Sequence, residues 1–141
     1  MPLVVDASFI LAIALNEEAP AESAQLFDVL ARDGAWVPPI WRYEVANALA
    51  VAARRGRIQP SMPAVILADI ARLPIDDDPD CAEVAWSGTL ALATQHGLSV
   101  YDASYLELAV RKQAWLATND RPLAAAVQAE GLAVVPQGRG P

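Results

Sequence analysis

The first apolar run of the chain is the feature that most restricts its fold. Leu3, Val4 and Val5 are followed directly by Asp6. Three consecutive apolar residues are typical of a strand that is buried on both faces, as in a parallel sheet covered by helices. Open sheets of that kind bind their ligands beyond the carboxyl ends of the strands. We therefore expect Asp6 either to cap the following helix or to belong to a functional site.

Helical and strand-like patterns alternate along the rest of the chain. We predict strands at residues 3–5, 35–37, 98–101, 115–118 and 132–135, and helices at 9–15, 20–33, 40–55, 63–72, 82–95, 103–112 and 123–130. This alternation predicts an α/β fold, a three-layer α/β/α sandwich with a mostly parallel central sheet and right-handed crossovers. A chain of 141 residues has the size of one domain, which we place at residues 1–136 with a polar tail at 137–141.

Acidic residues stand where the predicted strands end. Asp6, Asp102 and Asp120 each follow such a strand, so in a parallel sheet all three lie at one edge. Glu44 joins them if the helix at 40–55 leaves from the same edge. Taken singly, Asp102 and Asp120 suit helix N-caps, and Glu44 suits a pair with Arg42. Taken together, the four acids indicate a convergent carboxylate cluster.

Such a cluster has to be neutralised. Two carboxylates about 4 Å apart repel each other by roughly 4 kcal/mol at an effective dielectric of about 20, so four of them favour a bound cation. Oxygen donors without histidine or cysteine indicate a hard divalent ion, Mg²⁺ or alternatively Mn²⁺. Such an ion can activate water next to a bound phosphate, which is the chemistry of phosphodiester hydrolysis. The single histidine, His96, lies at a predicted helix end and supports neither a serine-histidine-aspartate triad nor a histidine-rich zinc site.

Polar residues accompany the acids at three places. Ser8 and Thr118 each lie two residues from an acid, and Asn47 shares a helix face with Glu44. We expect these side chains to hydrogen-bond the metal ligands or the metal's waters, with ordinary capping as the alternative. The acidic run at 76–80 is different, because adjacent acids point to different sides. We predict that it forms a solvated loop.

The overall charge at first argues against a nucleic-acid partner. The formal net charge is -7 and the pI is about 4.5, whereas a basic field is the usual sign of phosphate binding. Metal-dependent nucleases are an exception, because bound cations reverse the sign of their carboxylate clusters. The hydrophobic fraction of 55% suggests that a partner or a second copy covers one face. Charge alone therefore does not exclude a nucleic-acid substrate.

Cys81 is the single cysteine, which excludes an internal disulfide and a zinc site built from several cysteines. We expect it to be a small core residue in a protein of a reducing compartment. No secretory signal is visible, and no apolar run approaches the roughly 20 residues of a membrane span. These features predict a cytoplasmic protein that does not enter a membrane.

Four segments of the chain together resemble the motifs of a known family. They are Val5-Asp6-Ala7-Ser8 and the residues at 39–49, 101–109 and 116–123. Their order, spacing and placement are similar to the motifs of PIN-domain ribonucleases. Within that family the chain resembles the VapC-type toxins of bacterial type II toxin-antitoxin modules. The resemblance extends over nearly the whole chain.

The resemblance implies an activity, a cofactor and partners. Asp6, Glu44, Asp102 and Asp120 take the acidic positions of the family, and Asp6 and Asp102 are the strongest candidates for direct metal ligands. It also implies Mg²⁺-dependent endoribonuclease activity on RNA, homodimerisation, and inhibition by a cognate antitoxin that approaches the acidic site. Five arginines are our candidates for contacts with the RNA backbone: Arg42, Arg54, Arg55, Arg57 and Arg121.

Three other classes of protein remain as alternatives. A phosphorelay receiver also binds Mg²⁺ at strand-end acids, but it needs paired acids after the first strand and a lysine after a late strand. Here Ala7 and Ser8 follow Asp6, and the only lysine, Lys112, lies in a predicted helix. A haloacid-dehalogenase-type phosphatase needs an acid at the position of Ser8. A non-catalytic binding domain would be expected to lose some of the four acids.

Overall fold

The computed structural model describes residues 2–15 and 21–135, so the predicted tail at 137–141 lies outside the described residues. The strands there are β1 Leu3–Val5, β2 Ala35–Val37, β3 Ile75–Asp77, β4 Trp115–Ala117 and β5 Val134–Val135. The helices are α1 Ala7–Ala14, α2 Ala21–Asp33, α3 Ile40–Arg54, α4 Met62–Ile70, α5 Cys81–Val84, α6 Leu90–His96, α7 Val100–Lys112 and α8 Arg121–Ala129. A π-helical turn, Ala85–Thr89, separates α5 from α6 and divides the helix predicted at 82–95.

The strands form one sheet in the order β3-β2-β1-β4-β5, and the pairings between neighbours are all parallel. The central strand is β1, in which Val4 and Val5 are fully buried. A strand covered on both faces has no solvent-facing side, which explains its uninterrupted apolar sequence. The predicted α/β fold with a mostly parallel sheet is confirmed.

The strand order determines which face of the sheet each helix covers. The chain moves from β1 through β2 to β3 at one edge, and then crosses back to β4 and β5 at the other edge. Right-handed crossovers therefore place α1 to α4 on one face and α5 to α8 on the opposite face. The contacts agree, because α1 packs on α3 and α3 on α4, whereas α6 packs on α7 and α7 on α8. The direction of winding reverses between β1 and β4.

The strand predicted at 98–101 is wrong, because helix α7 begins at Val100. Ser99 is the N-cap of this helix, and its hydroxyl accepts a hydrogen bond from the N–H of Asp102 at 3.0 Å. A serine followed three residues later by an acid resembles a helix-start signal, which the apolar neighbours concealed. Asp102 therefore lies in the first turn of a helix and not at the end of a strand.

The solvated loop predicted at 76–80 is also wrong. Asp76 and Asp77 belong to β3, an edge strand, and their side chains are exposed. Asp78 is buried, with 1% of its side chain exposed, and it accepts two hydrogen bonds from Arg111. An edge strand tolerates polar side chains, and a distant cation stabilises the buried acid, so adjacent acids alone did not indicate a loop.

The core surrounds the central strands, and its largest fully buried side chains include Phe9, Trp41 and Tyr105. Cys81 is buried and forms no disulfide, which agrees with the predicted core thiol. Within residues 2–15 and 21–135, the structure contains no helix that has both the length and the apolar character to cross a membrane.

Candidate active site

The carboxyl ends of β1 and β4 lie side by side. Val5 is in register with Ala117, and the N–H of Asp6 donates to the carbonyl of Ala117 at 2.9 Å. The next residues of the two segments, Asp6 and Thr118, are therefore neighbours. This is the point where the winding of the sheet reverses, and open α/β sheets bind their ligands at such points.

Asp6 occupies the N-cap position of α1, but its side chain makes no capping hydrogen bond. Instead, its Oδ2 accepts hydrogen bonds from the hydroxyls of Ser8 and Thr118, each at 2.7 Å. Asp6 is 6% exposed, and this burial raises the pKa of its carboxyl. The two hydroxyls lower that pKa, and the charge of Asp120 raises it.

Glu44 reaches the same place from the first turns of α3. Its carboxylate accepts a hydrogen bond of 2.5 Å from the hydroxyl of Tyr105. Burial raises the pKa of Glu44, and the bond from Tyr105 opposes this rise. The negative charges of Asp6 and Asp102 raise the pKa of Glu44 further, so these carboxylates lie close enough to interact.

The other two acids lie at the starts of helices. Burial raises the pKa of Asp102 in the first turn of α7, and the charges of Asp120 and Asp6 add to the rise. Asp120 is the N-cap of α8, where its Oδ1 accepts a hydrogen bond from the N–H of Leu123 at 3.0 Å. The capping role considered for Asp120 is therefore confirmed. The one considered for Asp102 is wrong, because Ser99 caps α7.

The four acids form a negatively charged cluster, and none of them forms an ion pair with a cation of residues 2–15 or 21–135 in the pairs that the structure shows. Those pairs involve other carboxylates, among them Asp33, Asp77 and Asp78. In the same part of the chain, the structure contains no group of three or more Asp, Glu, His or Cys side chains that are close enough together to bind one metal ion directly. A hydrated Mg²⁺ or Mn²⁺ fits this donor set, because such ions keep several waters and take only one or two protein carboxylates. The chemistry that the cluster can support is therefore metal-assisted hydrolysis.

A polar network joins the segments that follow β1 and β4. The hydroxyl of Ser8 accepts a hydrogen bond from the N–H of Asn119 at 3.0 Å, and that of Thr118 accepts one from the N–H of Asp120 at 3.0 Å. Ser8 and Thr118 therefore connect Asp6 to the opposite segment. Asn47 behaves differently, because it is exposed on α3 and bonds to none of these described acids.

Two side chains beside the acids were missed in the sequence. Tyr105 is fully buried, and a buried tyrosine hydroxyl requires a polar partner, which was a usable signal. Asn119 lies between Thr118 and Asp120, and its Nδ2 donates to the carbonyl of Ser8 at 3.4 Å. The Oδ1 of Asn119 is buried and has no hydrogen-bond partner in the described part of the chain.

The five candidate arginines have different surroundings. Arg42 donates to Asp77 at 2.9 Å, so the alternative pair with Glu44 is not formed. Arg55 and Arg57 line a cavity next to the acids. The remaining two are exposed and do not line that cavity: Arg54 and Arg121.

Several solved structures have a similar fold. PAE2754 from Pyrobaculum aerophilum superposes with a TM-score of 0.69 and 26% identity, covering 96% of this chain and 90% of that one. VapBC2 from Rickettsia felis, solved with a DNA fragment from its promoter, gives 0.64 and 17% identity, covering 95% and 97%. FitAcB from Neisseria gonorrhoeae gives 0.56 and 16% identity, covering 94% and 95%. At these lower identities the last two matches show the fold alone.

Sequence comparison identifies the family. The family model for the PIN domain matches residues 3–129. Ribonuclease VapC3 from Pyrobaculum aerophilum is 34% identical over 128 residues, which are 88% of this chain and 93% of that protein. The chain therefore belongs to the PIN-domain family and is related to its VapC members, which confirms the resemblance found in the four motifs.

Proposed function

We propose that this chain is an endoribonuclease that depends on a divalent ion and hydrolyses RNA phosphodiester bonds. Its active site is formed by Asp6, Glu44, Asp102 and Asp120. The observation that carries the proposal is the carboxylate cluster beyond β1 and β4, which has no cationic partner among the described residues. The PIN-domain family and the relative named Ribonuclease VapC3 support RNA as the substrate. The all-oxygen donor set supports Mg²⁺, with Mn²⁺ as the alternative.

The side chains of the cluster have separate tasks in this proposal. Asp6 and Asp102 are the groups that we expect to hold the ion most directly, and Glu44 and Asp120 are its further ligands, either directly or through its waters. When bound, such an ion supplies an activated water and offsets negative charge on the phosphate. The two hydroxyls bonded to Asp6 keep its carboxylate in one orientation. The hydroxyl of Tyr105 orients Glu44 in the same way.

The proposed biological role is that of a cytoplasmic toxin neutralised by a cognate antitoxin. VapC3 supports this role because it is 34% identical in sequence to this chain, and VapBC2 supports it through the shared fold. An apolar cleft of about 160 Å³ between α1, α2 and α4, lined by Ile10, Phe27 and Ile66, suits an apolar segment of such a partner. The exposed Trp86 and Tyr101 suit the contact between two copies in a homodimer.

Cleavage of a labelled pool of cellular RNA by the purified protein, freed of any co-purified partner, tests the proposed activity. Wild type is compared with Asp6→Asn, each with Mg²⁺ and with a chelator. Asp76→Asn is the matched control, because it removes an exposed acid of β3 outside the cluster. We expect metal-dependent cuts by wild type and by the control, and their loss in Asp6→Asn.

Mapping the cut ends would then begin to define the RNA substrate. If folded wild type cuts no RNA with Mg²⁺ or Mn²⁺, the chain is a non-catalytic PIN domain. Equal cleavage by wild type and Asp6→Asn would remove Asp6 from the site. Light scattering on the same preparation measures whether the protein is a dimer.

A further inference from the structure

A cavity of about 530 Å³ lies between α1 and α3, next to the acidic cluster. Ser8 lines this cavity, and the same hydroxyl donates to Asp6, so the cavity begins one hydrogen bond away from the proposed cleavage site. The four acids, all of them described residues, do not line it. Its surface is therefore not used by the chemistry proposed above.

Helix α3 arranges three lining residues in a row. Asn47, Val51 and Arg55 follow one another at intervals of four residues, so they lie on one face of the helix. The N–H of Arg55 donates to the carbonyl of Val51 at 3.0 Å, which continues the helical pattern to Arg55. At a rise of about 1.5 Å per residue, Arg55 lies about 12 Å beyond Asn47 along the axis. Glu44 lies one turn on the other side of Asn47, so the row leads away from the acids.

The lining changes along this row from polar to apolar to cationic. Asn47 and Asn119 contribute polar side chains at the end closer to the acids. Leu11 from α1 and Val51 from α3 contribute apolar walls, and Arg55 contributes a cation beyond them. Apolar walls suit the face of a nucleobase, and a guanidinium suits a phosphate.

We propose that this cavity is a subsite for one unpaired nucleotide a few positions from the cleaved bond, with its base between Leu11 and Val51 and a phosphate at Arg55. The inference rests on the proposed ribonuclease function. Phosphates of a stacked strand are about 3.4 Å apart along its axis, so a distance of about 12 Å spans a few nucleotides. Double-stranded RNA cannot place a base there, because its bases are paired and stacked. The subsite therefore accepts a nucleotide only where the RNA around the cut is unpaired.

The test compares KM and kcat on a short RNA whose sequence surrounds a cut mapped in cellular RNA. The same RNA annealed to its complement is the second substrate. Arg55→Ala removes the cation, and Val51→Trp fills the cavity. The matched controls Arg72→Ala and Ala50→Trp change exposed residues that do not line it. Thermal melting verifies that each variant is folded.

We expect Arg55→Ala to raise KM about tenfold with little change in kcat. The reason is that a contact away from the cleaved bond stabilises the bound RNA equally in the ground state and in the transition state. The slope of log affinity against log salt concentration should fall by about 0.7, the value for one lost phosphate contact on a single strand. Val51→Trp should also raise KM, whereas both controls should match wild type. Wild type should cleave the annealed RNA poorly.

An unchanged KM in Arg55→Ala, or equally good cleavage of the annealed RNA, would overturn the subsite. Unchanged KM together with weaker binding of the cognate antitoxin would assign the cavity to that protein instead. A wild-type enzyme that cuts no RNA would reject the proposed function itself, and the subsite with it.

Discussion

At the scale of single residues, two opposing effects act on the pKa of the Asp6 carboxyl group. Burial raises its pKa, whereas hydrogen bonds from Ser8 and Thr118 stabilise its charged form. Both hydroxyls donate to the same oxygen, Oδ2. A helix cap needs no such support, because it accepts from backbone N–H groups. The arrangement suits a buried carboxylate that has to stay charged and oriented.

Tyr105→Phe tests the orientation of Glu44. The substitution removes the hydroxyl that donates to the Glu44 carboxylate and keeps the buried ring. We expect Mg²⁺ affinity, measured by titration calorimetry, and cleavage activity each to fall about 10-fold to 100-fold, as when a supporting partner of a metal ligand is lost. Tyr43→Phe is the control, because Tyr43 is 74% exposed and lies on α3 next to Glu44. Unchanged Mg²⁺ affinity in Tyr105→Phe would contradict this role.

Cys81 should be chemically inert in the folded protein. Burial, a hydrogen bond to Asp78 and the charge of Asp78 raise the pKa of its thiol to about 12. At pH 8 only about one thiol in ten thousand is then the reactive thiolate. We expect Ellman's reagent, an aromatic disulfide, to leave Cys81 unlabelled in the native protein and to react fully with its thiol after denaturation. Rapid reaction of the native protein would show that the thiol is accessible and ionised.

At the scale of elements, α7 is held at both ends by polar side chains. Ser99 caps its start and so places Asp102 at the cluster. Near its end, Arg111 donates to Asp78 at 2.8 Å and to Glu107 at 2.9 Å, which ties the helix to the segment after β3. The helix that carries Asp102 is therefore positioned by contacts far from Asp102 itself.

Arg111→Met tests this attachment. The change leaves Asp78 and Glu107 buried without the guanidinium, with 1% and 8% of their side chains exposed. We expect a loss of about 3 kcal/mol in the free energy of unfolding at pH 7, measured with urea. This loss is at the lower end of what is usual when one partner of a buried ion pair is removed, because Lys112 remains 3.5 Å from Asp78. Arg32→Met, which breaks an exposed pair with Asp33, should leave stability unchanged.

The effect of Arg111→Met should depend on pH in a defined direction. Arg111 holds the folded-state pKa of Asp78 well below its usual range, so the stabilisation is present above the pKa of the unfolded chain. It is lost as the pH falls through the folded-state pKa. The difference between wild type and variant should therefore be largest near neutrality and smaller in acid. A constant difference across this range would indicate lost packing rather than a lost ion pair.

At the scale of the whole molecule, the acidic cluster is a source of repulsion in the folded chain. Burial and neighbouring acids raise the pKa of Asp6, Glu44 and Asp102. The fold therefore holds negative charge in a place where a cation would stabilise it. A metal that binds only the folded state adds stability according to its concentration relative to its dissociation constant.

Asp102→Asn measures this repulsion through thermal stability. Without divalent ions, the variant should melt a few degrees above wild type, because one charge leaves the cluster. With millimolar Mg²⁺, the melting temperature of wild type should rise and that of the variant should rise less. Differential scanning calorimetry in chelator and in Mg²⁺ measures both effects. Asp76→Asn should respond to Mg²⁺ like wild type, and an equal response of Asp102→Asn would place Asp102 outside the metal site.

Membership of the PIN-domain family excludes the receiver and dehalogenase alternatives. The sequence was sufficient for this conclusion, for the parallel α/β fold and for most of the elements. The reason is that the apolar run of β1 and the start and stop signals of the helices are carried by residues close together in the sequence. The same motifs pointed to the four acids before any geometry was known.

Only the tertiary structure decided how these acids are supported. Residues 98–101 have a strand-like apolar pattern, but the N-cap at Ser99 and the packing of α7 make them the start of a helix. The bond from Tyr105 to Glu44 joins residues 61 positions apart, and that from Asn119 to Ser8 joins residues 111 apart. Local patterns determine which element forms, because propensity and periodicity act within a few turns of chain. The partner of a buried polar group depends on which elements the fold brings together, and no local pattern contains that information.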